Sequence, residues 1–317
     1  MTIPPPRASD AELLDQSLRR LKETGVIEYR GEFGNEIATF IPFVCWLKQE
    51  GLLAGRRVLS HGGMRPYYFF LDDSEFAEKP GPRDWLHPDL RDWPGCSTYT
   101  ATRQPWLRMP DYRSHYRGQG RQFQRPLLFV QNKFNVEWWR GPINYLPLDL
   151  LDQLLAGAEG RFDVVYSRPR PLRSESGYVS DQNLYCEYPD LPLVRSHRHV
   201  LLLEDWCEQE GLPYNQTKLE TLAQSHFFVA VQGGGAHLMA CFGESLMLLL
   251  HREGEEYPHA YQHGPYKYLA DPPPLLMLAS NHGELARGVR LFNKLRMENG
   301  NYRLDAESTA TLQALKI

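Results

Sequence analysis

The chain has 317 residues, of which 42% are hydrophobic and 23% are charged, with a formal net charge of -4 at pH 7. This length predicts two domains or one large α/β domain, and the apolar content is too high for a disordered chain. Because the charge balance is slightly acidic, the composition gives no reason to expect nucleic acid as a partner.

The cysteines and the N-terminal sequence indicate the compartment. The five cysteines form no CxxC pair and lie mostly among apolar residues, which favours a reducing cytoplasm. The first residues, MTIPPPRASD, lack the charged start and apolar core of a signal peptide. No run approaches the roughly 20 apolar residues that cross a bilayer. We therefore expect a soluble cytoplasmic protein that can still touch the inner membrane peripherally.

The N-terminal part of the chain has its own strand, glycine turn and helix. Ser9 and Glu12 form a capping box that predicts a helix, and Val26–Tyr29 is a strand candidate. The glycine-bearing turn Gly31–Asn35 follows, and a helical pattern of apolar residues comes next. Pro42 lies inside that pattern and predicts a kink or an early end of the helix.

Two further strand candidates, Val58–Ser60 and Tyr67–Leu71, flank a turn at His61. Residues 72–125 then lose regularity and are rich in proline and aromatic residues, so we interpret them as an ordered but irregular insertion. Four arginines at a spacing of four end this segment: Arg113, Arg117, Arg121 and Arg125. Such a run is commonly a solvated basic face. Alternatively, the four arginines form a binding surface for an anionic acceptor, such as a diphospholipid or a charged glycan.

The rest of the chain alternates strands and helices, which indicates a parallel sheet with crossover helices. The strand candidates are Leu127–Gln131, Phe162–Ser167, His199–Leu203, Phe227–Val231, Ser245–Leu250 and Leu275–Leu278. The helix candidates are Leu148–Leu155, Asn215–Ser225 with Asn215 as its cap, Ala236–Phe242, a helix capped by Ser280 or Asn281 that runs through Leu295, and Asp305–Leu315.

The stretch Phe227–Gly243, FFVAVQGGGAHLMACFG, joins a buried strand to a short helix through three glycines. Free backbone N–H groups and the positive end of the helix suit a phosphate or a carboxylate, and glycine lets a ligand approach the backbone. Valine at Gly234 is therefore expected to abolish nucleotide binding without unfolding the protein. Because the motif fits neither GxGxxG nor the P-loop, a plain tight turn is the competing interpretation.

Ligands of open parallel sheets bind at the carboxyl ends of the strands, so the residues after each strand are candidates. Lys133 and Arg168 offer cations to phosphates, and Glu255 and Glu256 offer carboxylates to ribose hydroxyls. Each has a structural alternative, but their shared edge favours a nucleotide-diphosphate pocket. The predicted donor-binding residues are Asn132, Lys133, Arg168, Gln232, Gly233, Gly234, Gly235, His237, Glu255 and Glu256.

Several segments around these residues resemble a known family of enzymes. QNKFNVEWWRGPINYLPLDLLDQLL, FDVVYSRP and FFVAVQGGGAHLMACFGESLMLLLHREGEEY look like a bacterial group of cell-surface polysaccharide glycosyltransferases of GT-B-like architecture. GEFGNEIATFIPFVCWL is similar to the N-terminal glycine loop of fucosyltransferase-like enzymes, commonly GxxGNxxF. The chain lacks the HxRRxD-type stretch of fucosyltransferases and has Gln131-Asn132-Lys133 in its place, which leaves the donor sugar open. The resemblance covers roughly Gly31–Leu47 and Phe129–Tyr257.

The resemblance implies an α/β fold with two facing Rossmann-like domains: residues 1–125 for the acceptor, including the 72–125 insertion, and residues 126–317 for the donor. It implies sugar transfer from a nucleotide-sugar to a glycan or lipid-linked glycan without a metal, because cations and a helix N-terminus stabilise the departing phosphate. The sequence also contains no DxD metal motif. The acceptor would enter past Gly31, Gly34 and Asn35. The candidates for the general base are Glu137, Glu32, His61 and Asp181, with the first two preferred.

Three other classes of protein are compatible with the sequence. A non-catalytic nucleotide- or sugar-binding protein would keep the glycine pocket and need no base. A metal-dependent hydrolase could use some of the eleven histidines, although no HExxH pattern supports it. A Rossmann dehydrogenase is least favoured, because GxGxxG with an acidic residue about 20 positions later is missing.

Overall fold

The structure, a computed structural model, describes residues 9–80, 83, 105–136, 141–169, 186–251, 265–298 and 301–303. The chain has an α/β fold with two parallel sheets, one of three strands and one of six, and a small antiparallel hairpin. This confirms the predicted fold class at the level of α/β structure with parallel sheets. The predicted helix at residues 305–315 lies outside the described ranges.

The three-stranded sheet is formed by the N-terminal part of the chain. Helix α1 (Asp10–Thr24) begins at the predicted capping box of Ser9 and Glu12, and it leads into β1 (Val26–Glu28). Strands β2 (Arg57–His61) and β3 (Phe76–Lys79) complete the sheet in the order β1-β2-β3. Strand β3 was not predicted from the sequence.

The helix after the first glycine turn runs past Pro42 to Gln49, so the early end that Pro42 predicts does not occur. It consists of α2 (Phe33–Asn35), a π-helical segment (Glu36–Phe40) and α3 (Ile41–Gln49). Pro42 lies in the first turn of α3, where its missing N–H group costs least. The wider π turn directly before it gives the chain room for the proline ring.

The predicted strand at residues 67–71 is wrong. Arg65–Tyr68 forms a 3₁₀ helix instead. Two consecutive side chains there both reach buried partners, because the hydroxyl of Tyr67 donates to Oδ1 of Asn215 and that of Tyr68 to Oε1 of Glu36. A strand would send consecutive side chains to opposite faces, so tertiary hydrogen bonds override the β propensity of the aromatic run.

The six-stranded sheet is parallel and doubly wound. Its strands are β4 (Leu127–Gln131), β5 (Asp163–Ser167), β6 (Val200–Leu202), β7 (Ser225–Val231), β8 (Leu246–Leu250) and β9 (Leu275–Ala279). Their spatial order is β6-β5-β4-β7-β8-β9, so the direction of winding reverses between β4 and β7. This is the 3-2-1-4-5-6 order of the Rossmann sheet.

Short helices surround this sheet: α4 (Tyr112–Tyr116), α5 (Leu148–Ala158), α6 (Asp190–Ser196), α7 (Leu203–Glu210), α8 (Tyr214–Gln224), α9 (Gly234–Ala240) and α10 (His282–Lys294). A hairpin of β10 (Arg296–Glu298) and β11 (Asn301–Arg303) follows. Asn281 caps α10, as predicted. Asn215 does not cap α8, because its amide instead donates to the carbonyl of Gly63. Helix α7 was not predicted.

The two faces of the large sheet have separate cores. Alternate residues such as Leu128 and Val130 pack with α5 and α10 on one face. Phe129 and Val165 belong to a second cluster that also includes Phe40 and Val58 from the N-terminal part. The small sheet and its helices therefore pack against one face of the large sheet in a continuous core. The proposed division at residue 125 stays a prediction.

In the described part of the chain, no helix combines the length and the apolar content that crossing a bilayer requires. Cys45, Cys186, Cys207 and Cys241 are free thiols. Burial raises the pKa of Cys45 and of Cys207 to about 12, so both stay protonated at neutral pH.

Candidate functional site

The direction of winding reverses between β4 and β7, so the carboxyl ends of these two strands form the topological switch point of the sheet. In doubly wound sheets, this switch point is where ligands bind. Strand β4 ends at Gln131 and is followed by Asn132 and Lys133, while β7 is followed by Gln232 and the glycine turn. The topology thus brings two predicted segments, about 100 residues apart in sequence, to one point.

Lys133 lies against the backbone of the glycine turn. A Cβ built on Gly233 would lie 3.3 Å from Nζ of Lys133. Gly233 has φ 141° and ψ -175°, a conformation that favours glycine. The turn therefore has backbone without a side chain next to the ammonium group of Lys133. The sequence analysis predicted this combination for a site that binds an anion.

The glycine turn of the N-terminal part meets the C-terminal one. A Cβ built on Gly34 would lie 3.3 Å from Cα of Gly234, 3.2 Å from Oε1 of Glu32 and 3.2 Å from Cδ2 of His237. The contact between α2 and α9 thus gathers a carboxylate and an imidazole around one glycine. Predicted residues of the acceptor side and of the donor side are neighbours here.

Two glutamines border the same turn. The side chain of Gln131 packs directly on the Cα of Gly235, and its Oε1 is buried without a hydrogen-bond partner among the described residues. The side chain of Gln232 is hydrogen-bonded to His251, with 2.8 Å between Oε1 and Nδ1. Gly235 is therefore contacted by Gln131 from β4, and Gln232 is hydrogen-bonded to His251, which directly follows β8.

His237 is neutral at physiological pH. Burial, together with the positive charge of Lys133, lowers the pKa of His237 to about 4. Its ring packs edge-on against Tyr266, with 5.5 Å between the ring centroids. A neutral imidazole can donate or accept one hydrogen bond, but it adds no positive charge to a phosphate site.

Arg168 and Asn132 have structural partners. The guanidinium of Arg168 is only 1% exposed, pairs with Asp190 and donates to the carbonyls of Tyr188 and Cys186. Oδ1 of Asn132 accepts from its neighbour Lys133 and from Leu146, each at 2.9 Å. These contacts favour the structural alternative for both residues, and their donor-binding roles stay predictions.

His61 is buried below the first glycine turn. Burial, followed by the charge of Arg83, lowers the pKa of His61 to about 4, and only 2% of the residue is exposed. Arg83 pairs with the buried Glu36 at 2.6 Å and donates to the carbonyl of Gly31 at 3.2 Å. His61 therefore lies among the buried residues beneath the Gly31 turn. The carbonyl of Asn35 accepts a hydrogen bond from the hydroxyl of Thr39, one helical turn later.

Four predicted residues lie outside the described ranges: Glu137, Asp181, Glu255 and Glu256. Their roles stay predictions. Of the candidates for the general base, Glu32 is the one that the described contacts place beside the C-terminal glycine turn.

The arginine run does not form a helical stripe. Helix α4 ends at Tyr116, the guanidinium of Arg113 donates to the carbonyls of Ala223, Ser225 and Phe242, and Arg125 pairs with Asp163. Arg117 and Arg125 line a pocket with His226 at the amino ends of β4 and β7. This pocket is at the opposite edge of the sheet from the glycine turns, so it is separate from the switch point.

A polar cluster of Ser167, Glu204, Tyr214 and Lys218 was missed by the sequence reasoning. All four residues are buried, at the carboxyl end of β5 and on α7 and α8. A weak signal was available, because Lys218 lies directly before Leu219 and four positions before Leu222, so a charged residue occurs among the apolar positions of one helix. Across the described ranges, no three His, Cys, Asp or Glu side chains gather where they could hold a metal ion.

The structure corrects the expectation for Gly234. A Cβ there would lie 2.8 Å from Cδ1 of Phe33 and 3.0 Å from the backbone nitrogen of Gly34. We predict that Gly234→Ala lowers the free energy of unfolding by about 1–3 kcal/mol, because backbone must shift. Gly141→Ala is the control, since a Cβ there meets nothing within 4 Å. Equal urea midpoints for the two variants would contradict the packed contact between the glycine turns.

Comparisons with family models, with curated proteins and with solved structures found no match to this chain. The function is therefore inferred from the geometry of the site and from the sequence resemblance.

Proposed function

We propose that the protein is a glycosyltransferase of GT-B type, which moves a sugar from a nucleotide-sugar donor to a hydroxyl of a glycan or lipid-linked glycan. The six-stranded sheet would hold the donor, and the N-terminal part would present the acceptor. The proposal includes a cytoplasmic location with peripheral membrane contact and metal-independent transfer.

The observation that carries the proposal is the meeting of the two glycine turns at the switch point. Lys133 lies beside Gly233 on the donor side, and Glu32 lies beside Gly34 on the acceptor side. A diphosphate needs a cation and close backbone approach, and an acceptor hydroxyl needs a base. The N-terminal and C-terminal parts of the chain supply these groups from opposite sides of the contact between the glycine turns, and transfer between two substrates requires groups on both sides.

Lys133 would stabilise the negative charge that develops on the departing diphosphate. The carboxylate of Glu32 would take the proton of the acceptor hydroxyl as that oxygen attacks the anomeric carbon and the bond to the diphosphate breaks. Neutral His237 would orient a substrate oxygen by a hydrogen bond, since its low pKa keeps it uncharged.

The test is a turnover screen. The purified protein is incubated with UDP-, GDP- and CMP-linked sugars, with and without EDTA, and the release of nucleotide is measured in the presence of a glycan acceptor mixture. Release that is selective for one donor and insensitive to EDTA supports the proposal. Nucleotide binding without release from any donor would instead favour the non-catalytic binding protein, and neither binding nor release would overturn both.

A further inference from the structure

A buried network of polar side chains, formed by Ser167, Glu204 and Tyr214, lies at the carboxyl end of β5. The hydroxyl of Ser167 donates to Oε1 of Glu204 at 2.7 Å, and the hydroxyl of Tyr214 donates to the same oxygen at 3.0 Å. Oε2 of Glu204 receives only a long bond from the backbone N–H of Arg168, at 3.3 Å. One carboxylate oxygen is therefore saturated, while the other keeps room for a further donor.

Lys218 lies one helical turn after Tyr214 and is only 3% exposed. Its Nζ is 5.8 Å from the centre of the Tyr214 ring, and it makes no hydrogen bond or ion pair with any residue that the structure describes. Burial lowers the pKa of Lys218 to about 8, and the charge of Glu204 acts in the opposite direction. The two groups are thus coupled through space, although they do not form an ion pair within 4.0 Å.

Gln131 borders this network in the sheet. It is the register partner of Ser167, and both side chains lie on the face that carries Phe129 and Val165. Gln131 is 9% exposed, and its buried Oε1 has no hydrogen-bond partner in the described ranges. Three under-satisfied polar groups, Gln131, Glu204 and Lys218, therefore occupy the ends of β4 and β5 and the helices against them.

The chemistry of the three groups is complementary to a hydroxyl. An ammonium needs an acceptor, whereas a carboxylate and an amide oxygen need a donor, and a hydroxyl group is both. An anion would meet repulsion from Glu204, and a cation would meet it from Lys218. The position also fits, because β4 and β5 lie on one side of the switch point, and a ligand bound at Lys133 would extend across this edge of the sheet.

We propose that Gln131, Glu204 and Lys218 form a subsite that binds a hydroxyl of the donor, from either the ribose or the transferred sugar. The subsite makes the protein selective for hydroxylated ligands. This inference rests on the proposed function, because it needs a nucleotide at the switch point. The competing explanation is an internal water that bridges the same groups and serves only the fold.

Titration calorimetry of UDP, GDP and CDP, of their 2′-deoxy forms, and of the corresponding nucleotide-sugars separates these explanations. The wild type and Lys218→Met are compared, with Lys22→Met on the exposed face of α1 as the control. Methionine keeps the length of the side chain and removes the charge, so the variant should stay folded. Glu204→Gln is the second variant and keeps the shape of the carboxylate.

If the subsite holds the ribose, the wild type binds the ribonucleotide about tenfold or more tightly than the 2′-deoxy form, and Lys218→Met removes this preference. If it holds the transferred sugar, the variants lose a similar factor for the nucleotide-sugar only. Unchanged affinities in both variants, with wild-type binding intact, would overturn the subsite and leave the proposed function standing. A wild type that binds no nucleotide would overturn both.

Discussion

Replacing Glu32 with Gln is expected to lower kcat for sugar transfer by about 10²- to 10⁴-fold, while the affinity for the nucleotide changes little. The amide keeps the size of the side chain and its hydrogen-bonding reach, but it cannot take a proton. Glu32 faces Gly34 and His237, so a base at this point lies between the two glycine turns. The measurement is steady-state kinetics with the donor found in the turnover screen, together with the nucleotide Kd.

Glu50→Gln is the matched control for Glu32, because Glu50 is exposed and follows the C-terminal end of α3, whereas Glu32 precedes the N-terminal end of the same helical run. It should leave kcat unchanged. A Glu32→Gln variant with kcat within about threefold of the wild type would exclude Glu32 as the base, since general-base catalysis contributes more than that. In that case Glu137, which the resemblance also implies, becomes the first candidate.

Asp190→Ala is expected to lower the free energy of unfolding by about 3–5 kcal/mol. Asp190 is fully buried and accepts from Arg168, Tyr166 and Asn132. The substitution leaves a guanidinium in the core without its carboxylate, and it also removes the acceptor of two neutral donors. Urea denaturation followed by far-UV circular dichroism measures the loss as a lower midpoint.

Two controls separate the buried pair from a general effect of losing an acidic residue. Asp73→Ala removes a carboxylate that is 96% exposed, and it should leave the midpoint unchanged. The double variant Arg168→Met with Asp190→Leu replaces both charges by apolar groups of similar size, and it should recover a large part of the stability. A double variant that is less stable than Asp190→Ala would contradict this account of the pair.

The sequence predicted the large sheet well because its strands are short, almost wholly apolar and separated by amphipathic helices. The pattern of residues 127–131 and 246–250 requires burial on both faces, which only a covered parallel sheet provides. The same rule placed Lys133 and Gly233 at one edge, because parallel strands share their carboxyl ends.

Contacts between distant segments could not be read from local pattern. The aromatic run at Tyr67 and Tyr68 has the propensity of a strand, yet hydrogen bonds to Asn215 and Glu36 select a 3₁₀ helix. The partner of Arg168 is Asp190, 22 residues later, and no local signal identifies that pair. Gly234 was expected to face a ligand, but it packs against Phe33 and Gly34 from the N-terminal part of the chain. Local sequence around Gly234 does not identify these distant neighbours.

The most direct test of the central claim is the affinity of a nucleoside diphosphate for the wild type and for Lys133→Met, measured by titration calorimetry with EDTA present. If Lys133 and the backbone of Gly233 bind the diphosphate, the wild type binds it and the variant binds about 10- to 100-fold more weakly, the loss of one charge-assisted hydrogen bond. Lys22→Met should match the wild type. Equal affinities of the wild type and Lys133→Met, or a wild type that binds no nucleoside diphosphate, would contradict a donor site at the switch point.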